Sequence, residues 1–177
     1  LMTKAKLLLP GEDLEADMYE HLMNEMESKG INQYEISNFS KNSHHSQHNK
    51  LYWDNVNYAG FGAGAHGYVE GIRDANIGPI KKYMETIASG EFPLQSAHEV
   101  TSTEQMEEEM FLGLRKVEGV NRILFKEKFG ISLEDAYGQV LAKHISSGSM
   151  ISTDESVMIS KQGRFIGNEI FQTFLEK

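Results

Sequence analysis

The sequence predicts an α/β segment followed by a mostly α-helical, winged-helix-like region, and three observations carry that reading. An apolar stripe at helical spacing runs into an alternating stretch before residue 40. A glycine-dense stretch, Gly60-Phe61-Gly62-Ala63-Gly64-Ala65-His66-Gly67, follows at mid-chain. Beyond residue 91 the apolar residues recur almost throughout at 3.6-residue spacing.

The elements follow in order. Leu7 to Leu9, cut off by Pro10 and Gly11 in a chain that opens at Leu1, reads as the edge of a fragment. From Asp13 as N-cap, Leu14, Met18, Leu22, Met23 and Met26 form one helical stripe that ends at Lys29, with Gly30 as terminator. Tyr34 to Phe39 alternates and predicts a strand, and the histidine-rich stretch from Lys41 to Lys50 predicts a loop. Val56 to Phe61 predicts a second strand running into the glycines. Pro79 suits the first position of a helix whose face carries Ile80, Tyr83, Met84 and Ile87, closed by Gly90. Helices are then expected over Thr103 to Val117, Arg122 to Phe129 and Ser132 to Ile145, the last opened by Ser132 and Asp135. A hairpin joins Met150-Ile151 to Val157-Met158-Ile159, and a final helix covers Phe165 to Leu175.

Composition excludes several function classes. At 177 residues the chain holds one domain or one and a half, too little for a complete large barrel enzyme. Its net charge of −9, from 17 basic and 26 acidic residues, opposes a nucleic-acid partner held by phosphate neutralisation. No apolar run reaches the roughly 18 residues that span a bilayer, and no secretion signal opens the chain, so a cytoplasmic location is expected. With no cysteine, the chain itself has no disulfide, thiolate nucleophile or cysteine-held cluster.

The chemistry-bearing residues gather between 40 and 76. Four of seven histidines, His44, His45, His48 and His66, fall within one short window. Neutral imidazole is a common metal or heme ligand, and the alternative is a polar surface loop. The glycine stretch lacks the lysine and hydroxyl of a phosphate loop, and Ala65 breaks GxGxxG, leaving ligand contact or close strand-end packing. Tyr52 and Trp53 are core anchors or a cofactor stack. Met18, Met23, Met26, Met106 and Met110 are expected in the core, and Glu107 to Glu109 as a solvated charge run. Neither a catalytic acid/base set nor a metal-ligand set emerges.

The ordered blocks Tyr34-Glu35-Ile36-Ser37-Asn38-Phe39-Ser40, His48-Asn49-Lys50-Leu51-Tyr52-Trp53, Gly60 to Ala65 and Arg73-x-x-Asn76 resemble the oxygen-independent coproporphyrinogen III oxidase-like family of radical-SAM proteins. The HNxxYW block is similar to that of the heme-chaperone (HemW-type) branch. The likeness continues through Leu112-Gly113-Leu114-Arg115, Glu118-Gly119-Val120 and Phe125 to Gly130, as far as Gly163, Asn168 and Phe171.

The resemblance implies a carboxy-terminal fragment. Residues 1–75 would be the terminal portion of a partial (β/α) radical-SAM barrel, and 76–177 a helical domain with a small hairpin. The cluster-binding CxxxCxxC would lie elsewhere in the parent, which would use S-adenosylmethionine and a 4Fe-4S cluster while this chain stays inactive alone. It also implies His48 as a heme contact, with Tyr52 and Trp53 against the porphyrin. Ser40, Gly62, Ala63, Gly64 and His66 would approach S-adenosylmethionine. The function implied is a heme-binding chaperone that passes heme to an apoprotein, and the alternatives are an oxygen-independent coproporphyrinogen III oxidase of porphyrin biosynthesis and a winged-helix nucleic-acid module. For the barrel segment, Tyr34 to Phe39 and Val56 to Phe61 should pair in parallel, with the histidine loop and glycine turn at the carboxyl ends of those strands. The raw sheet edge should be covered by Leu1 to Leu9 or by self-association.

Overall fold

The structure, a computed structural model, describes residues 10–175. The chain folds as two compact units divided between His45 and Ser46.

In the first unit, the predicted stripe forms α1 (Glu12–Ser28), whose N-cap is Gly11, two residues ahead of the expected Asp13, which lies inside the first turn. Glu12, Asp13 and Glu15 sit in the first turn, where carboxylates oppose the positive helix end. The expected strand from Tyr34 to Phe39 is instead a hairpin of β1 (Ile31–Glu35) and β2 (Asn38–Lys41), paired antiparallel. The buried Glu35 carboxylate makes the turn, accepting from the Ser37 amide at 3.1 Å and from the Asn38 side-chain amide. From α1, the Tyr19 hydroxyl donates to the Ile36 carbonyl at 2.8 Å and so fixes the turn to the helix. Alternation at period two cannot distinguish one strand from two short ones when the reversal is built by a side chain.

The second unit begins with a helix where a loop was expected. Ser46 accepts from the Asn49 amide at 3.3 Å and caps α2 (Gln47–Trp53). Asn55, at φ 46°, turns the chain out of it. Val56 to Phe61 is not a strand; only Tyr58 pairs, antiparallel, with Tyr68. A three-stranded antiparallel sheet follows, with β4 (Ile72–Asn76) between β3 (His66–Val69) and β5 (Leu94–Glu99). Glu70 and Gly71, both at positive φ, make the tight β3–β4 turn. The helix α3 (Ile80–Ala88) links β4 to β5, with Pro79 at its N-cap.

The carboxy-terminal elements match their predicted pattern more closely. Thr101 and Glu104 form a reciprocal capping box at α4 (Ser102–Gly113). This helix stops at Gly113, short of the expected Val117, and Gly113 lies against Val120, where a Cβ would crowd the valine. Then come β6 (Val120–Asn121), α5 (Arg122–Phe129) and α6 (Leu133–Ser146), the last capped by Ser132 accepting from the Asp135 amide. The expected hairpin is β7 (Met150–Ser152) with β8 (Ser156–Ile159), and β6 joins it in the order β6-β8-β7. The last helix is shorter than expected: a 3₁₀ turn, Gly163–Ile166, precedes α7 (Gly167–Gln172). Met110, Leu114, Phe125, Leu133, Val157, Ile170, Phe171 and Phe174 fill the core between these elements.

Every strand pairing among the described residues is antiparallel, which corrects the expected parallel sheet and its ligand-bearing carboxyl ends. The Leu1 to Leu9 cover for a sheet edge lies outside the described residues. Of the methionines expected in the core, only Met110 is buried; Met18 is exposed and the others half-buried.

Candidate functional site

The short helix α2 carries His48, Tyr52 and Trp53 because its Ser46 cap puts residues 48 and 52 one turn apart on one face. Their side chains meet: the Tyr52 hydroxyl and His48 Nε2 lie 3.1 Å apart, with the rings edge to face at 5.0 Å. His48 itself is exposed. Beyond it, Tyr52 packs edge-on against Tyr58 at 4.7 Å.

Tyr52 and Trp53 wall an open cavity of about 360 Å³ also lined by Asn55, Tyr58, Arg73, Glu108, Phe111 and Leu112. Arg73, on β4, crosses it to reach Glu108 of α4 with two bonds of 2.6 Å, from Nε and Nη2. The same guanidinium donates to Tyr58 Oη and Asn55 Oδ1, each at 3.3 Å, and lies 4.5 Å over the Tyr68 ring. Glu108 therefore holds Arg73 more firmly protonated than usual, while burial, reinforced by Glu108, pushes the Tyr68 phenol up. Two donors at the wall, Trp53 Nε1 and Asn55 Nδ2, are buried with no hydrogen-bond partner among the described residues. Behind Trp53, the Arg115 guanidinium lies 5.2 Å from its ring and close to Phe111 and Phe171, which joins α2 to α4 and α7.

The glycine turn is organised by Asn76, whose side-chain amide donates to the carbonyls of Gly60 and Gly62 at 3.3 and 3.0 Å. The Gly64 amide is used by the Ile77 carbonyl, and the Ala65 amide by Gly62. Gly62 and Gly64 have positive φ, while a Cβ on Gly60 would overlap the His66 carbonyl. Close packing thus accounts for Gly60, and the turn is tied down from inside. His66 lies exposed in β3, opposite Ala75.

The remaining sequence candidates sit in the first unit. Ser40, on β2 opposite Asn32, is buried and its hydroxyl lacks a hydrogen-bond partner among the described residues. His44 Nδ1 is bonded to the Lys41 carbonyl at 3.0 Å, and His45 stacks on Tyr34 at 4.5 Å. His44 precedes α2, so its spacing of four from His48 is not a helical one. No group of three metal-ligating side chains converges among the described residues.

Sequence reasoning missed Asn55, Tyr58, Glu108, Phe111 and Leu112 as cavity residues. Glu108 was expected in a solvated run, yet it is bound to Arg73, and Glu109 is bound to Lys128 at 2.6 Å. The signal available was the Arg73-x-x-Asn76 spacing: in one strand it sends Arg73 to the cavity wall and Asn76 to the glycine turn.

A model of the HemN C-terminal domain matches residues 100–166. The chain is 50% identical over 175 residues to the heme chaperone HemW of Bacillus subtilis (strain 168), covering 99% of this chain and 46% of that protein. It is 41% identical over 170 residues to the heme chaperone HemW of Lactococcus lactis, covering 96% and 44%. The chain spans less than half the length of these curated relatives. In fold it is similar to the structure described as "Coproporphyrinogen III oxidase (HemN) from Escherichia coli is a Radical SAM enzyme", with a TM-score of 0.74 and 12% identity over 94% of this chain and 42% of that one. The identities to the HemW relatives over nearly the whole chain mean that the chain belongs to the oxygen-independent coproporphyrinogen III oxidase-like family of radical-SAM proteins, in its HemW-type branch.

Proposed function

We propose that the chain is the carboxy-terminal part of a heme-binding chaperone that delivers heme to an apoprotein. One observation carries the reading: the HNxxYW block folds as a single helix that presents an imidazole, a phenol and an indole beside an aromatic-walled cavity. Heme is the cargo, with His48 as an axial or near-axial contact and Tyr52 and Trp53 as porphyrin surface. The relatives 50% and 41% identical over nearly the whole chain are named heme chaperones. Titrating heme into the chain and its His48→Ala variant tests the contact; an unchanged Soret shift and affinity in the variant would reject it.

The 4Fe-4S cluster does not fit this chain, which has no cysteine, so it belongs to other parts of the parent. S-adenosylmethionine contacts are proposed at Ser40, whose buried hydroxyl lacks a partner among the described residues, and at Gly62, Ala63, Gly64 and His66. Residues 1–75 are read as the terminal barrel portion and 76–177 as the helical domain. Cytoplasmic location and self-association through the sheet edge that carries Tyr34 belong to the same reading.

The coproporphyrinogen III oxidase reading is supported by likeness of fold and by the match of residues 100–166 to the HemN C-terminal domain. Robust protoporphyrinogen formation by the reconstituted full-length parent would favour it. A winged-helix role has the order α4-β6-α5-α6-β7-β8 in its favour, with Lys161 and Arg164 after the hairpin, but the net charge of −9 opposes a phosphate backbone. Salt-dependent DNA binding is therefore not expected.

A further inference from the structure

We infer that the apolar face of α3, together with Phe61 and Phe92, is the surface on which the rest of the parent protein packs; this rests on the reading of the chain as part of a longer one, and not on heme. On α3, Ile80, Met84 and Ile87 fall four and three residues apart and so share one side of the helix. All three are exposed by half or more, and the helix buries no residue. Only Tyr83 and Thr86, beside that stripe, are half-buried, while Lys81, Lys82 and Glu85 take the polar side. A nine-residue helix is marginal in water without packing, and the most apolar face of this one has none among the described residues.

Two phenyl rings leave the chain from the foot of the same helix. Phe61 and Phe92 are 91% and 93% exposed. Phe61 sits between Gly60 and Gly62, whose carbonyls both accept from the Asn76 side chain. Phe92 precedes Pro93, whose carbonyl accepts from the Ile77 amide at 2.8 Å, and the Ile77 carbonyl in turn accepts from the Gly64 amide at 3.0 Å. The backbone on either side is thus tied to Asn76 and Ile77, just ahead of α3, and the exposed rings are held there rather than trailing on loose loops. An exposed apolar patch of this kind marks an interaction surface.

Length and charge select the occupant. The chain matches 46% of the Bacillus subtilis relative, which leaves more than half of a protein of that length outside it. Aromatic side chains bury about 150–250 Å² each. Two phenyls and three aliphatic side chains therefore suit the roughly 600–1,500 Å² interfaces found between parts of one chain. The net charge of −9 opposes a second copy and an anionic lipid surface alike, because each adds like charge. A covalently joined remainder is held at high effective concentration and needs no electrostatic steering.

The experiment compares the 177-residue chain with the full-length parent by peroxide oxidation of Met84 and hydroxyl-radical labelling of Phe61 and Phe92, read by mass spectrometry. In the chain all three should label freely at any concentration. In the parent they should label at least about tenfold more slowly, as burial excludes the reagent. Phe92→Ser removes a ring that supports nothing inside the chain, so circular dichroism should be unchanged. In the parent it should speed Met84 oxidation at least about threefold, because a loosened interface admits peroxide. Equal labelling in parent and chain would overturn the inference. Protection in the chain that grows with its concentration would give the surface to a second copy, and protection only on adding phosphatidylglycerol vesicles would give it to a lipid; either result overturns it too. The mass of the natural protein tests the fragment reading separately. Protection in a parent that fails the heme titration would reject the chaperone reading and leave the surface standing.

Discussion

The region from Ser102 to Leu175 and the unit from Pro10 to His45 both contain well-formed amphipathic helices, but only the first closes a core. In the former, α4, α6 and α7 bury Met110, Leu133, Leu141, Ile170 and Phe171 against one another and against the β6-β8-β7 sheet. In the latter, α1 buries no residue, and the described burial is confined to Tyr34, Glu35 and Ser40 on the hairpin. Leu14, Met18 and Leu22 keep their helical spacing and remain exposed. Hydrophobic period therefore specifies a helix and the face it offers; burial requires a second surface to meet that face.

The strongest test of this contrast is truncation of a core aromatic. Phe171→Ala removes a ring that is 1% exposed and packed against Phe111 and the Arg115 guanidinium, and should cost about 3–5 kcal/mol. Urea unfolding of the chain measures it, and a loss below about 1 kcal/mol would mean that the helical core is not closed.

Next comes the cavity wall. Glu108→Gln leaves Arg73 without its carboxylate in a site where both side chains are about a third exposed or less. A loss of about 1–2 kcal/mol is expected, with a matching loss for Arg73→Gln and little further loss in the double variant. Fully additive losses would show that the two residues act separately.

A smaller effect comes from His144, held in the helical core by Ser149 at Nδ1 and Thr173 at Nε2. Burial, aided by Lys143, pushes its folded value below that of the unfolded chain. The native state thus favours neutral imidazole. Its contribution is complete above the unfolded value of about 6.5 and is lost as pH falls through the folded value. The urea midpoint should decline from about pH 7 toward pH 5, and His144→Gln should flatten that decline. An identical slope in the variant would remove His144 as its source.

The smallest expected effect is Leu22→Ala in α1, within about 0.5 kcal/mol, because the side chain is already 40% exposed. A loss as large as that of Phe171→Ala would erase the contrast between the two regions.

The sequence by itself determined what is local. Helical period marked α1, α4, α5 and α6, with the Ser132 cap for the last, glycines and the Ser152 to Ser156 turn marked the β7–β8 hairpin, and the HNxxYW and Arg73-x-x-Asn76 blocks located two parts of the candidate site. The tertiary structure decided what depends on partners distant in the chain. The β1–β2 reversal rests on the Glu35 carboxylate and on Tyr19, and neither contributes to hydrophobic period. The sheet β3-β4-β5 was unreadable because its first turn uses Glu70 at positive φ, a conformation that sequence signals assign to glycine or asparagine. Glu108 looks solvated among three consecutive glutamates; only the fold brings Arg73, 35 residues away, into a two-bond grip on it. Local backbone preference is written in neighbouring residues, whereas the pairing of charges and the walls of a cavity exist only once strands and helices have packed.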